Sequence, residues 1–132
     1  MKRTKSFEHA PESVTAARHF AEAILQDVPA EPRDSALLMV SELASNCIRH
    51  TPNGFDLAIS HKPDEIRIEA TDRGAGEPRM RNPGPSDPNG RGLQIIEMLS
   101  AAWGVEHLAG LEKTVWFTIT LEVPSAVESA RA

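Results

Sequence analysis

The spacing of apolar positions along the chain changes several times, and each spacing predicts a type of element. In three stretches the apolar residues recur every three to four positions, as on one face of a helix. The first stretch begins at Pro11-Glu12-Ser13, the second runs from about residue 33 to 50, and the third runs from residue 92 to about 102. We expect residues 29–32 to be a linker between the first two helices, because two prolines so close together interrupt helical hydrogen bonding.

The second predicted helix has the clearest amphipathic pattern. Its apolar stripe consists of Leu37, Val40, Leu43, Ala44 and Cys47. Asp34 or Ser35 is the predicted N-cap, since short polar side chains accept hydrogen bonds from the first free amides. The segment Thr51-Pro52-Asn53-Gly54 is expected to end the helix in a turn.

Other stretches alternate strictly between apolar and polar positions, which predicts strands. The alternating sets are Phe55, Leu57 and Ile59; Ile66, Ile68 and Ala70; and Val115, Phe117, Ile119 and Leu121. A turn at residues 61–64 would join the first two sets as a hairpin, and short strands are expected near Phe7 and at residues 104–107. This element order predicts an α+β two-layer sandwich, with helices on one face of a mixed, mostly antiparallel sheet.

Composition restricts the classes of function. The 132 residues predict one domain (residues 1–132) with a core from about 7 to 121 and a flexible tail at 122–132. The net charge of −5 gives no basic footprint for direct nucleic-acid binding. There is one cysteine, Cys47, which we assign to the core. We find neither a secretory signal nor an apolar run long enough for a membrane helix, so we expect a cytoplasmic protein without a membrane partner.

The first candidate for chemistry lies on the second predicted helix. Glu42 and Asn46 are four positions apart, so they share one helix face, with Arg49 and His50 near that face one turn on. An amide oxygen suits Mg²⁺, and a carboxylate can act as a general base in phosphoryl transfer. The alternative is an ordinary exposed polar face.

The second candidate is the turn Asp72-Arg73-Gly74-Ala75-Gly76, which follows a predicted strand. An Asp carboxylate can accept a hydrogen bond from the exocyclic amine of adenine, whereas guanine presents a carbonyl at that position. Glycines allow the backbone to approach a base closely. The alternative is an ordinary turn, in which Asp and Gly are common anyway.

The third candidate, Gly90-Arg91-Gly92-Leu93, is predicted to open a helix. Free amides and the helix dipole favour phosphate at such a position, and Arg91 adds a cation. The alternative is a hinge without a ligand. The preceding connection, residues 72–89, is rich in Gly and Pro and longer than most, which predicts a lid over a ligand.

Taken in order, these segments resemble the GHKL (histidine-kinase-like) ATPase and kinase superfamily. Residues 42–50 resemble its N box, residues 72–76 its G1 box and residues 90–93 its G2 box. The ending Lys113-Thr114-Val115-Trp116-Phe117 is also similar. Within the superfamily, the compact size and the opening Pro11-Glu12-Ser13-Val14 are most similar to bacterial anti-sigma-factor serine-protein kinases.

The resemblance implies a role for each matched residue. Glu42 would be the catalytic base and Asn46 the Mg²⁺ ligand, and Asp72 would read adenine. The remaining ATP-binding residues would be Arg49, His50, Gly74, Ala75, Gly76, Gly90, Arg91, Gly92, Leu93 and Thr114, the last with its hydroxyl in the pocket at the adenine end.

The function that the resemblance implies is an ATP- and Mg²⁺-dependent serine-protein kinase that acts as an anti-sigma factor in transcription regulation. It would phosphorylate a serine of an anti-sigma-factor antagonist and bind a sigma factor, often as a homodimer. One alternative is a non-catalytic regulator, in which ATP orders the lid and thereby controls partner binding. Another is an interaction module that binds its partner without nucleotide.

Overall fold

The computed structural model describes residues 1–72, 88–107 and 112–122, and from residue 88 to 93 it describes the backbone only. Eight elements follow one another along these ranges. They are β1 (Lys2–Phe7), α1 (Glu12–Ile24), α2 (Ala30–His50), β2 (Phe55–Lys62), β3 (Glu65–Asp72), α3 (Pro88–Leu99), β4 (Ala102–His107) and β5 (Lys113–Thr120).

The strands form one five-stranded sheet in the order β1-β2-β3-β5-β4. Every pairing of neighbouring strands in the described part is antiparallel. The predicted hairpin is β2–β3, with a turn shorter than expected because β2 continues through Lys62. The fold class is confirmed as helices packed against an antiparallel sheet.

The core lies between the sheet and the helices, as the alternating pattern predicts. Ile66, Ile68 and Ala70 of β3 are buried, whereas the residues between them are only partly buried. Val40, Leu43, Ala44 and Cys47 of α2 are buried above them, which confirms most of the predicted stripe. Burying side chains of this size supplies most of the driving force for folding, at about 1.5–3 kcal/mol for each large apolar side chain.

Helix α2 begins earlier than predicted, and the expected linker at residues 29–32 does not exist. Pro29 is the N-cap, Ala30 opens the helix, and neither Asp34 nor Ser35 caps it. The reason is that the first-turn amides have no acceptor inside the helix, so Pro32 loses no hydrogen bond there. A hydrogen bond of this turn runs from the Arg33 amide to the Pro29 carbonyl, at 3.0 Å.

Helix α3 also differs from its prediction, since it begins at Pro88 and ends at Leu99. Gly90 and Gly92 therefore lie inside the helix rather than before it. Proline favours the first helical position because its fixed φ suits a helix and its missing amide is not needed there.

One row of paired residues crosses the sheet beside the C-terminal end of α2. Phe7 pairs with Phe55, Phe55 with Asp72, Asp72 with Lys113, and Lys113 with His107. The aromatic end of this row is buried by the stacked rings of Phe7 and Phe55, whose centroids are 5.3 Å apart. Each member is the first or last residue of its strand, so the row forms one end of the sheet, and its middle member, Asp72, belongs to the predicted site.

Candidate nucleotide site

Glu42 and Asn46 lie one turn apart on α2, outside its buried stripe, and both are partly buried. Between described residues, neither side chain forms a hydrogen bond or an ion pair. Ser41 on the same helix differs, because its hydroxyl donates to the Leu37 carbonyl at 3.1 Å. The carboxylate and the amide are thus partly buried without a hydrogen bond or ion pair to any described residue, which suits a ligand-binding pair.

Arg49 and His50 occupy the last turn of α2 and are exposed. Basic residues at a helix C-terminus interact favourably with the helix dipole, so their position has a structural reason as well. Their predicted contact with ATP stays a prediction.

Asp72 is the most informative member of the site because its carboxylate is buried. The residue is only 5% exposed and closes the buried series of β3, so its side chain faces the helices. A buried carboxylate requires polar partners, since desolvation of an unpaired charge is strongly unfavourable. Lys113, its register partner on β5, lies on the same face.

Cys47 of α2 lies within electrostatic range of both residues. Burial, and secondarily the Asp72 carboxylate, raise the pKa of the Cys47 thiol to about 12, while Lys113 acts in the opposite direction. The thiol is therefore protonated at neutral pH and is a core group rather than a nucleophile. Helix α2 packs against β3, the strand that ends at Asp72.

Thr114 does not share the face of Asp72, a placement that does not favour its hydroxyl in the pocket, and its predicted contact with ATP stays a prediction. Thr114 pairs with Thr71, and their hydroxyl oxygens are 2.7 Å apart. Successive side chains of a strand point to opposite faces, and Asp72 and Thr71 are successive. The sequence already contained this information, because Val115 and Phe117 are in phase with the core and Thr114 is not.

The other predicted residues are described incompletely. Gly74, Ala75 and Gly76 lie outside the described residues, as does most of the predicted lid. Gly90, Arg91, Gly92 and Leu93 lie within the first six residues of α3, where only the backbone is described. Gly90 falls in the first turn, whose amides have no acceptors within the helix, and this agrees with an anion site there.

Two further residues near the site, Lys113 and His9, were not among the predicted site residues. Lys113 becomes relevant only through its register with Asp72. The Nε2 atom of His9 lies 2.8 Å from the Ile48 carbonyl oxygen in the last turn of α2. No local spacing predicts a contact between residues that are 39 positions apart.

The described residues fit a magnesium ion that is held mainly by a nucleotide. Among them there is no group of three or more His, Cys, Asp or Glu side chains that could hold a metal ion. Mg²⁺ commonly binds through one or two protein oxygens together with waters and substrate phosphates. The amide oxygen of Asn46, which has no hydrogen bond to a described residue, would provide one such oxygen.

The comparisons with known proteins agree with this arrangement. The family model described as "Histidine kinase-like ATPase domain" matches residues 7–119. Among solved structures, the chain is similar to the RsbU and RsbW domains of Rv1364c from Mycobacterium tuberculosis, with a TM-score of 0.72 and 18% identity. That match covers 95% of this chain and 34% of the other, so this chain corresponds to about a third of that one. No curated protein matches the sequence.

The chain belongs to the histidine kinase-like ATPase family, since the family model spans most of its length. Family membership assigns nucleotide binding to the protein as its general function. Its fold is that of the histidine kinase-like ATPases. In the part of the chain that the structure describes, no helix has both the length and the apolar character needed to cross a membrane.

Proposed function

We propose that this protein is an ATP-binding serine-protein kinase that acts as an anti-sigma factor and phosphorylates a serine of an anti-sigma-factor antagonist. The observation that carries the proposal is the pairing of two sites across the core. Glu42 and Asn46 on α2 form no hydrogen bond or ion pair to a described residue, and the buried Asp72 ends β3 beside the same helix.

Asp72 is proposed to select adenine. Its carboxylate accepts a hydrogen bond from the exocyclic amine, and a guanine base would place a carbonyl against it. A site built to hydrogen-bond one group discriminates strongly against an analogue that lacks it, because buried polar groups are then left unpaired. Gly74, Ala75 and Gly76 are proposed to shape the same base pocket.

The phosphate end is proposed to lie between α2 and the start of α3. Asn46 would hold Mg²⁺, which neutralises the charge that develops on the phosphates during transfer. Gly90, Arg91, Gly92 and Leu93 would bind the phosphates, with Arg49 and His50 adding positive charge near the end of α2. Thr114 contributes through the sheet backbone at most, because its hydroxyl is bonded on the other face.

Glu42 is proposed as the general base of the transfer step. It accepts the proton from the serine hydroxyl of the partner as that oxygen attacks the γ-phosphorus of ATP. The bond between the γ-phosphorus and the bridging oxygen breaks, and ADP leaves with the electron pair. The products are phosphoserine on the partner, ADP and a proton on Glu42.

The partner assignment is supported by resemblance. The order of the three boxes is similar to that of anti-sigma-factor kinases, and the fold is shared with a protein that contains an RsbW domain. We also propose that the protein is cytoplasmic and that it forms a homodimer. Sedimentation of the purified protein would test the homodimer.

The experiment is a transfer assay with purified candidate antagonist proteins, read by mass spectrometry of the phosphorylated serine. Glu42→Gln should reduce transfer at least about 100-fold while ATP still binds, since a general base contributes roughly 10²–10⁴-fold. Glu31→Gln, an exposed position in the first turn of the same helix, is the matched control and should not change the rate.

The outcomes separate the proposal from its alternative. Phosphoserine that depends on Glu42 supports a kinase. Partner binding that depends on ATP but yields no phosphoserine would instead identify a non-catalytic regulator, and normal transfer by Glu42→Gln would reject the assignment of the base.

A further inference from the structure

The C-terminal end of α2 lacks one hydrogen bond that a helix end commonly gains. The last backbone bond of the helix runs from the Thr51 amide to the Cys47 carbonyl, at 3.1 Å. The next donor in the series would be the amide of residue 52, which would reach the Ile48 carbonyl. Residue 52 is Pro52, which has no amide hydrogen, so the backbone that follows the helix cannot complete this bond.

His9 supplies that bond from a distant part of the chain. Its Nε2 atom lies 2.8 Å from the Ile48 carbonyl oxygen. A carbonyl oxygen only accepts hydrogen bonds, so Nε2 carries the hydrogen and donates it. His9 thus acts as a C-terminal cap for α2, although it belongs to the connection between β1 and α1.

The end of β1 and the start of the same connection approach the chain just after α2 at a second place. A Cβ atom on Gly54 would lie 2.0 Å from the Phe7 carbonyl oxygen and 3.2 Å from the Glu8 Cα atom. Only a residue without a side chain permits this close approach. The connection therefore holds both the last turn of α2 and the turn that follows it.

The proposed nucleotide site depends on that last turn. Arg49 and His50 directly follow Ile48, and Asn46 precedes it by two residues. Displacement of the turn would displace the side chains that are proposed to meet Mg²⁺ and the phosphates. In contrast, Asp72 lies on β3 and is held by the sheet rather than by this turn.

We propose that His9 is a positioning residue for the metal and phosphate end of the nucleotide site. It donates to Ile48 the hydrogen bond that Pro52 cannot, and it thereby fixes the last turn of α2 in its binding geometry. The inference rests on the proposed function for the identity of the ligand. The local restraint itself is independent of that ligand.

The restraint can be tested in the protein without nucleotide by amide hydrogen exchange. In His9→Ala we expect the amides of Arg49, His50 and Thr51 to exchange about 3–10 times faster than in the wild type, since one exposed hydrogen bond contributes roughly 1 kcal/mol. His9→Gln keeps a donor and should recover most of the protection. His19→Ala, an exposed histidine on α1, is the control and should leave these amides unchanged.

The functional part is tested by titrating Mg-ATP and, in parallel, adenosine, which has the same base but no phosphates. We expect His9→Ala to raise the Kd for Mg-ATP about 3–5-fold, and to change the Kd for adenosine less than about 2-fold, because only the α2 end of the site is disturbed. An equal loss in both titrations would show a general loss of folding instead and would overturn the proposal. If His9→Ala does not fold, His9→Asn replaces it, since its shorter amide is too far from Ile48 to donate.

Failure of this inference is distinguishable from failure of the proposed function. If the wild type does not bind Mg-ATP, the proposed function is wrong, whatever the exchange experiment gives. If the wild type binds but His9→Ala binds equally well in both titrations, or shows unchanged exchange at residues 49–51, His9 is not a positioning residue.

Discussion

The Cys47 thiol on α2 and the Asp72 carboxylate at the end of β3 are electrostatically coupled across the core. Burial is the larger cause of the raised pKa of Cys47, about 12, and the Asp72 charge adds to it. This coupling connects the helix that carries Glu42 and Asn46 to the strand that ends in Asp72. The two halves of the candidate site are therefore adjacent, although about 30 residues separate them in the chain.

The raised pKa of Cys47 predicts a loss of stability at alkaline pH. In the unfolded chain the thiol ionises near its ordinary pKa of 9.0, whereas the folded thiol keeps its proton up to about pH 12. Above pH 9 the unfolded state therefore binds fewer protons, and its stabilisation lowers the free energy of unfolding by up to ~1.4 kcal/mol per pH unit. Urea denaturation of the wild type and Cys47→Ala between pH 7 and 11 measures the effect. Parallel pH dependences for the two proteins would contradict it.

Thr114→Val tests the position of the threonine hydroxyl. Its bond to Thr71 lies on the sheet face away from Asp72. We expect the free energy of unfolding to fall by about 1 kcal/mol, because a partly buried hydroxyl on Thr71 loses its partner. The affinity for Mg-ATP should stay within about 2-fold of the wild type, because the Thr114 hydroxyl is bonded to Thr71. Loss of a hydrogen bond to ATP itself would lower the affinity by more than about 2-fold. A larger loss of ATP affinity without a loss of stability would show that the Thr114 hydroxyl contacts ATP.

Ser100→Ala should stabilise the protein. The Ser100 hydroxyl is buried and has no hydrogen-bond partner among the described residues. Removing a buried polar atom without a partner removes its desolvation cost, about 1 kcal/mol or more. Thermal unfolding of Ser100→Ala and of Ser41→Ala provides the comparison, because the Ser41 hydroxyl is bonded to the Leu37 carbonyl. A lower melting temperature for Ser100→Ala would show that the hydroxyl does have a partner.

Gly54→Ala should destabilise the protein more than Gly104→Ala. At Gly54 the new Cβ atom would meet the Phe7 backbone oxygen at 2.0 Å, whereas at Gly104 it would meet the Trp116 ring at 2.9 Å. The Trp116 side chain can shift, whereas the Phe7 backbone, which is paired with β2, cannot. In chemical denaturation we expect the free energy of unfolding to fall by about 2–3 kcal/mol for Gly54→Ala and by about 1 kcal/mol for Gly104→Ala. Equal losses would contradict the close packing of the turn after α2 against β1.

Most of the sheet could be predicted from the sequence because alternation encodes the buried face directly. Phe55, Leu57 and Ile59 are buried, as are Ile66 and Ile68. The pairing order could not be read in this way, since it depends on contacts between distant strands. The Asp72–Lys113 pair is one consequence of that order.

The starts of α2 and α3 are harder to predict from the sequence, because a proline can either interrupt a helix or occupy its first turn. Pro32 and Pro88 both lie in first turns, where the missing amide has no consequence. The bond from His9 to Ile48 depends on tertiary packing and could not have been predicted. For the candidate site, the sequence indicated Glu42, Asn46 and Asp72, and the structure brings their two elements together across the core.

The most direct test of the proposed nucleotide site is calorimetric titration of the purified protein with Mg-ATP, with Mg-GTP and the Asp72→Ala variant in parallel. Asp64→Ala, an exposed acid in the β2–β3 turn, is the control and should bind ATP like the wild type. We predict saturable ATP binding, at least about 10-fold weaker binding of GTP, and a similar loss for Asp72→Ala, in line with charge-assisted hydrogen bonds of roughly 1.5–3 kcal/mol. Equal binding of ATP and GTP, or undiminished ATP binding by a folded Asp72→Ala variant, would contradict the account.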